Sequence, residues 1–120
     1  MATSRTHLKG NDLRKDSVTG SSAISLSVAA IKTTKVVSVT LHLNAAPTTS
    51  ENLTIKLSAN AGAAYDTTLY SLDLSAGSTV DLLWQPNEEI YLEQGDSLDI
   101  AYTNTDGRTY GLQVTTLEMV

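Results

Sequence analysis

Residues 37–43 read Val-Ser-Val-Thr-Leu-His-Leu, the most regular alternation in the chain and the stretch that decides its fold class. Successive side chains of an extended strand point to opposite faces of a sheet. The apolar residues from Val37 to Leu43 are therefore predicted to face a core, and the Ser, Thr and His side chains between them to face away from it. A helix would need apolar residues at a period of 3.6 instead.

The same alternation recurs along the chain after residue 23, interrupted by clusters of Gly, Pro, Asn, Asp and Ser. This pattern predicts about eight short strands and no amphipathic helix. We therefore expect an all-β protein, an antiparallel sandwich of jelly-roll type. The turn at 104–107 (Asn-Thr-Asp-Gly) lies between two such strands and predicts a hairpin, because an Asp-Gly step suits a turn with positive φ.

Length and composition narrow the class further. At 120 residues, one domain can bury roughly two thirds of its unfolded surface. The chain has no cysteine, which excludes disulfides, thiolate nucleophiles and cysteine-bound metals. Residues 1–20 lack the apolar run of a secretory signal, and no stretch approaches the length needed to span a bilayer. We expect a soluble protein made in a cytoplasm, with no membrane partner.

Charge divides the chain into two parts. Residues 1–50 carry six basic and two acidic side chains, a net +4, whereas residues 51–120 carry two basic and eleven acidic ones, a net −9. An acidic body disfavours nucleic acid as a partner, because such binding neutralises phosphates with Lys and Arg. Residues 1–22 show neither strand nor helix periodicity and are predicted to form an extended N-terminal arm; residues 23–120 are predicted to form the sandwich domain.

The arm supplies most of the candidate partner-binding residues. Its apolar side chains could anchor it on a neighbouring protein, and its basic side chains could pair with an acidic surface there. Tyr91 is a further candidate outside the arm, because it lies on the opposite strand face from Ile90 and Leu92. The predicted partner-binding residues are Arg5, Leu8, Lys9, Leu13, Arg14, Lys15, Val18 and Tyr91.

Catalysis is not predicted. The two histidines, His7 and His42, lie in the arm and in the polar row of a strand, and no nucleophile, base and acid converge around either. Of the acidic residues between 88 and 106, Glu88, Glu89 and Asp96 fall in predicted turns, where solvated charge is expected. Asp99 lies on a predicted strand, on the face opposite its apolar neighbours. The expectation is a protein that is not an enzyme, with no cofactor and no metal site.

Several segments together resemble a known family. The resemblance covers about half the chain and lies in turns and strand ends rather than in a catalytic signature. The segments are 51–55 (ENLTI), 64–66 (AYD), 72–77 (LDLSAG), 92–96 (LEQGD) and 102–111 (YTNTDGRTYG). The chain is similar there to small β-sandwich accessory virion proteins of tailed bacteriophages, which are encoded near head and tail genes.

The resemblance implies a structural virion protein that binds and stabilises a phage capsid surface as a decoration, or cement, protein. Its partners would be the major capsid protein or neighbouring virion proteins, and copies of itself in a cyclic homo-oligomer such as a trimer. Two alternatives stay open. One is a head-tail, tail or fibre component of the same virion; the other is a carbohydrate-binding β-sandwich module that uses Tyr91 and Tyr102.

Overall fold

The structure is a computed structural model that describes residues 2–8 and 11–119, with side chains from residue 12 onward. Ten strands form two antiparallel sheets, and the helical part of the described chain is a 3-10 turn at Ala63–Tyr65. The prediction of an all-β sandwich is confirmed. The strands are β1 (Ala2–Leu8), β2 (Asn11–Gly20), β3 (Ile24–Ala29), β4 (Thr34–Leu43), β5 (Asn52–Ser58), β6 (Thr67–Asp73), β7 (Asp81–Trp84), β8 (Tyr91–Leu92), β9 (Ser97–Tyr102) and β10 (Tyr110–Glu118).

The strand order is that of a jelly roll. One sheet runs β1-β2-β10-β4-β7, with β8 pairing to the same strand β4, and the other runs β3-β9-β5-β6. From β2 onward the chain passes back and forth between the two sheets, except at the β5–β6 hairpin and where β7 and β8 both pair with β4. Eight strands in two packed sheets match the predicted jelly roll. The six-stranded sheet gains β1 at one edge and the two-residue β8 at the other.

The core lies between the sheets and consists of the inward side chains of both. Strand β3 alternates strictly between buried and exposed residues, and in β4 the residues Val39, Leu41 and Leu43 are all buried. Full burial of a Leu, Ile or Val side chain contributes about 1.5–3 kcal/mol. Most of the buried side chains are aliphatic. Trp84 is partly buried against this core and lies beside Tyr70, with ring centroids 6.1 Å apart.

At the start of the stretch 37–43, the burial of the side chains differs from the prediction. Val36 is buried and Val37 is only half-buried, because the register between β10 and β4 shifts so that Thr115 faces Ser38 and Thr116 faces Val36. The bulge inserts an extra residue and reverses the alternation on its N-terminal side. The prediction that Val37 faces the core is therefore wrong, whereas it is confirmed from Val39 to Leu43.

The boundary drawn at residue 22 is also wrong. β2 pairs with β10 over nine consecutive positions, from Gly20↔Tyr110 to Asp12↔Glu118, so residues 11–20 belong to the sandwich. The arm is extended, as predicted, but it is not separate from the body. Sequence periodicity missed β2 because its core-facing positions carry charge: Arg14 and Asp16 face inward in place of aliphatic residues.

The turn at 104–107 joins two sheets instead of closing a hairpin. Strand β9 belongs to the four-stranded sheet and β10 to the six-stranded one. The positive backbone angles are present, with φ of 54° at Asn104 and 65° at Gly107. The Asn104 side chain fixes the corner by donating to the backbone oxygens of Ser22 and Arg108, each at 3.0 Å.

Candidate binding surface on the six-stranded sheet

The six-stranded sheet has one face turned away from the core, called the outer face below. Antiparallel register places its residues in rows that cross the strands. In one row, Leu13 of β2 lies beside Leu117 of β10, which lies beside Lys35 of β4, and Lys35 lies beside Tyr91 of β8. This row combines apolar and polar side chains, and Tyr91 is 44% exposed.

A small polar network surrounds Tyr91. Its hydroxyl donates to Oε2 of Glu89 at 3.0 Å, and Lys35 Nζ lies 3.3 Å from Oε1 of the same carboxylate. The hydrogen bond from Tyr91 and the charge of Lys35 lower the pKa of Glu89. The same hydrogen bond raises the pKa of Tyr91, so its hydroxyl stays protonated and keeps donating.

The other end of the outer face contains a concavity of about 600 Å³. Gly111 of β10 lies in the row between Thr19 of β2 and His42 of β4. Because glycine has no side chain, the row is open at its centre. The lining residues come from four strands, β2, β4, β7 and β10, and are Ser17, Val18, Thr19, Thr40, Leu41, His42, Asp81, Leu82, Leu83, Gly111, Leu112 and Gln113.

A hydrogen-bonded pair of His42 and Asp81 and an exposed leucine border this concavity. His42 Nδ1 lies 2.5 Å from Oδ1 of Asp81, its neighbour across the β4–β7 pair. Leu83, on the same strand as Asp81, is 63% exposed. The concavity therefore offers an imidazole fixed by a carboxylate beside an apolar side chain that nothing in the described chain covers.

Of the eight predicted partner-binding residues, three lie on the outer face. Leu13 is half-buried there, and Lys15 is exposed in the next row. Tyr91 lies at the opposite end of the row that begins with Leu13. The structure therefore brings Leu13, Lys15 and Tyr91 to one surface, although two strands, β10 and β4, separate the first two from the third.

Two other predicted residues point into the sandwich. Val18 packs against the core. Arg14 Nη2 lies 3.1 Å from Oδ2 of the buried Asp16, and its Nη1 donates to the backbone oxygen of Ala29 at 2.8 Å and lies 3.8 Å from Oε2 of the buried Glu118. Arg14 thus ties β2 to β10 and to the end of β3. Arg14 is engaged inside the fold, whereas Val18 is partly buried and also lines the concavity; the role of both as partner contacts stays a prediction.

The remaining three predicted residues belong to the first ten positions. Arg5 lies within β1 opposite Arg14, and Leu8 ends that strand opposite Asn11. Only their backbone is described. Lys9 lies outside the described residues. What the structure adds is the placement of Arg5 and Leu8 on an edge strand of the sheet.

The acidic residues of the turns are engaged in holding loops. Asp106 accepts hydrogen bonds from the Thr49 hydroxyl and from the backbone N–H groups of Thr49 and Thr48, at 2.6, 2.9 and 2.7 Å. These bonds, with the Thr49 hydroxyl contributing most, lower the pKa of Asp106 to about 2. Asp99 likewise accepts from three serine hydroxyls, which lower its pKa although burial alone would raise it.

Sequence reasoning missed the concavity. Its centre is a glycine inside a strand, and that was the available signal, since an isolated glycine in a strand often marks a close approach by another group. Tyr102, proposed for sugar stacking, is 2% exposed and belongs to the core, so it offers no exposed ring face to a sugar. Leu83 lies in the solvent-facing register of β7, where the alternation could have indicated an exposed apolar residue.

Within residues 12–119 no group of three or more His, Asp or Glu side chains is arranged to hold a metal ion. No helix in the described part of the chain is both long enough and apolar enough to cross a membrane. No protein-family model and no curated protein matches the chain.

Proposed function

We propose that this chain is a structural virion protein that binds a phage capsid surface and stabilises it as a decoration protein. The observation that carries the proposal is the position of β1. This strand lies at the end of the six-stranded sheet, and within the described residues it pairs with β2 alone. One side of its backbone is therefore open for pairing.

An open edge of this kind is a docking element for another extended chain. A partner segment that adds a strand gains affinity from main-chain hydrogen bonds and specificity from alternate side chains. Proteins usually protect such edges with proline, bulges or very short strands. β1 has seven residues, contains no proline, and keeps a one-to-one register with β2 from Ala2↔Ser17 to Leu8↔Asn11.

The hairpin of β1 and β2 is joined firmly to the sandwich. β2 pairs with β10 along its length, and Arg14 links it to Asp16 and Glu118 inside the fold. A capsid segment paired to β1 would therefore be coupled to the whole rigid body. A protein that holds two capsid subunits together needs this coupling, because a flexible tether would transmit no restraint.

Electrostatics contributes less than backbone pairing in this proposal. Residues 1–22 carry four basic and two acidic side chains, a net +2, and exposed charges are screened within about 8 Å at physiological salt. Arg14 is moreover engaged with Asp16. We therefore expect capsid binding to depend only weakly on salt.

The test is deletion of residues 2–8 followed by co-sedimentation with capsids of the phage that encodes the chain. The deletion stops before β2, so the pairing of β2 with β10 is retained. We expect a folded protein that no longer sediments with capsids. Undiminished binding by the deleted protein would refute the role of β1.

A matched pair of proline variants separates the open edge from the hairpin itself. Neighbouring strand residues direct their backbone N–H groups to opposite sides. Of Ser4→Pro and Arg5→Pro, one therefore removes a donor towards β2 and the other a donor towards the open edge. The variant whose β1–β2 amides keep their protection from hydrogen exchange should be the one that has lost capsid binding; normal binding by that variant would contradict strand addition.

A further inference from the structure

Neither the backbone conformation nor the packing of this chain requires a glycine at position 111. It lies in β10, between β2 and β4, at a regular point of both registers. Its φ is outside the left-handed region, and a Cβ built on it would meet no atom within 4 Å. Glycine weakens a strand interior, and its usual reasons there are a bulge, a sharp bend or the close approach of another group.

The first reason, a bulge, does not apply at this position. The only register shift between β10 and β4 falls at Thr115/Thr116, four residues further along the strand. The third reason fits, because the concavity of about 600 Å³ opens above Gly111. Its size is within the range of about 300–1,000 Å³ that is typical of small-molecule sites.

The lining indicates the chemistry of the ligand. It contains no Lys or Arg, which disfavours phosphates and other anions, and a single carboxylate, that of Asp81, which is already paired with His42. The other polar groups of the lining are neutral hydrogen-bonding groups. They are the Gln113 amide and the hydroxyls of Ser17, Thr19 and Thr40. The exposed lining is nevertheless mostly apolar, so an uncharged ligand that combines an apolar face with hydroxyl groups complements it.

We propose that the concavity above Gly111 binds a neutral saccharide of one or two sugar rings. The ring approaches the bare backbone of Gly111, and its C–H face packs against Leu83. Its hydroxyls bond to Gln113 and to the His42–Asp81 pair. Asp81 occupies Nδ1 of the imidazole, which leaves Nε2 as the ring nitrogen that contacts the ligand.

The site differs from an aromatic sugar platform. Tyr91 lies at the other end of the outer face, in the row of Lys35, and the residues that line the concavity include no aromatic side chain. Recognition therefore depends on directed hydrogen bonds and on close approach to the backbone. Filling the space above Gly111 should accordingly abolish binding.

The experiment uses the full chain, free in solution, and saturation-transfer NMR with maltose, cellobiose, lactose and chitobiose, together with a broad glycan array. The test variant is Gly111→Val, which suits a strand and meets open space. The matched control is Ala101→Val, a similar enlargement at an exposed position of β9 in the other sheet. Asp81→Asn and Gln113→Ala test the polar groups.

We expect a signal from at least one neutral saccharide, a loss of at least tenfold in affinity in Gly111→Val, and wild-type affinity in Ala101→Val. Thermal melting should show that both variants fold. No binding on the array or by NMR would overturn the proposal, as would binding that Gly111→Val leaves intact.

The saccharide site and the capsid-binding edge can fail separately. Capsid co-sedimentation depends on β1, whereas saccharide binding is measured without capsids. If Gly111→Val sediments normally but loses saccharide, both proposals stand. If it loses capsid binding and no saccharide binds the wild type, the concavity holds a protein segment and the saccharide proposal is refuted.

Discussion

Replacing Arg14 by Met should destabilise the fold strongly. The guanidinium lies 3.1 Å from Asp16 and 3.8 Å from Glu118, and it donates to the backbone oxygen of Ala29 at 2.8 Å. Both carboxylates are at most 1% exposed. Methionine fills similar volume but leaves two buried carboxylates without this cation.

The magnitude follows from their burial. Removing one partner of a buried ion pair costs about 3–5 kcal/mol, because the remaining charge loses a counter-charge in a medium of low polarity. Domains of this size unfold with about 5–15 kcal/mol, so the variant would lose a large share of its stability. With a urea m-value of about 2 kcal/mol per molar, the unfolding midpoint should fall by about 1.5–2.5 M.

Urea unfolding followed by tryptophan fluorescence measures this change, since Trp84 is partly buried against the core. Lys15→Met is the matched control, because Lys15 is the next residue and is exposed on the outer face; its midpoint should shift by no more than the equivalent of about 0.5 kcal/mol. Adding Glu118→Gln to Arg14→Met should restore part of the loss. Equal, small shifts in Arg14→Met and Lys15→Met would refute the reasoning.

Three further predictions concern the core and the loops. Leu43→Ala, at a side chain with 0% exposure, should cost about 2–5 kcal/mol in urea unfolding. Gly95→Ala should cost about 1–3 kcal/mol, because its φ is 92° and a Cβ would lie 2.7 Å from Cγ of Asn60; unchanged stability would contradict that geometry. Asp106, whose pKa is lowered to about 2 mainly by the Thr49 hydroxyl, stabilises the fold above its unfolded pKa and loses this contribution as pH falls from about 4 to 2. Carboxyl NMR should find that Asp106 titrates with a pKa of about 2. Asp106→Asn should flatten the dependence of stability on pH between about 4 and 2.

Much of the fold could be predicted because most strands bury one face. Alternation from Val39 to Leu43 reports that burial directly, and so does Ile24 to Val28 in β3. Strands β3 to β10 and the sandwich class followed from such segments, whereas β1 and β2 were not predicted. Where a strand buries charged side chains, as β2 does with Arg14 and Asp16, the hydrophobic period of a strand is absent. The sequence then predicts an irregular segment instead of a strand.

Connections between the sheets were harder to predict than the strands. The chemistry of residues 104–107 fixed the backbone angles, with positive φ at Gly107. A tight turn, however, is compatible with a hairpin and with a corner between sheets. Which of these forms depends on the pairing of β10 with β2 and β4, far away in sequence.

The candidate sites show the same limit. Exposure of Tyr91 could be predicted from alternation, since it depends only on neighbouring residues. The concavity could not, because Thr19, Gly111 and His42 become neighbours only through sheet register. The same holds for the open edge of β1, which follows from the order of strands.

Electron microscopy of the virion with this chain bound tests the central claim most directly. We predict density for the jelly roll on the outer capsid shell, with a strand of a capsid subunit paired to β1 along residues 2–8. Particles lacking the chain should lose this density and dissociate at a lower temperature. Density for the chain at the head-tail junction or in the tail, or on the capsid with β1 unpaired, would contradict the account.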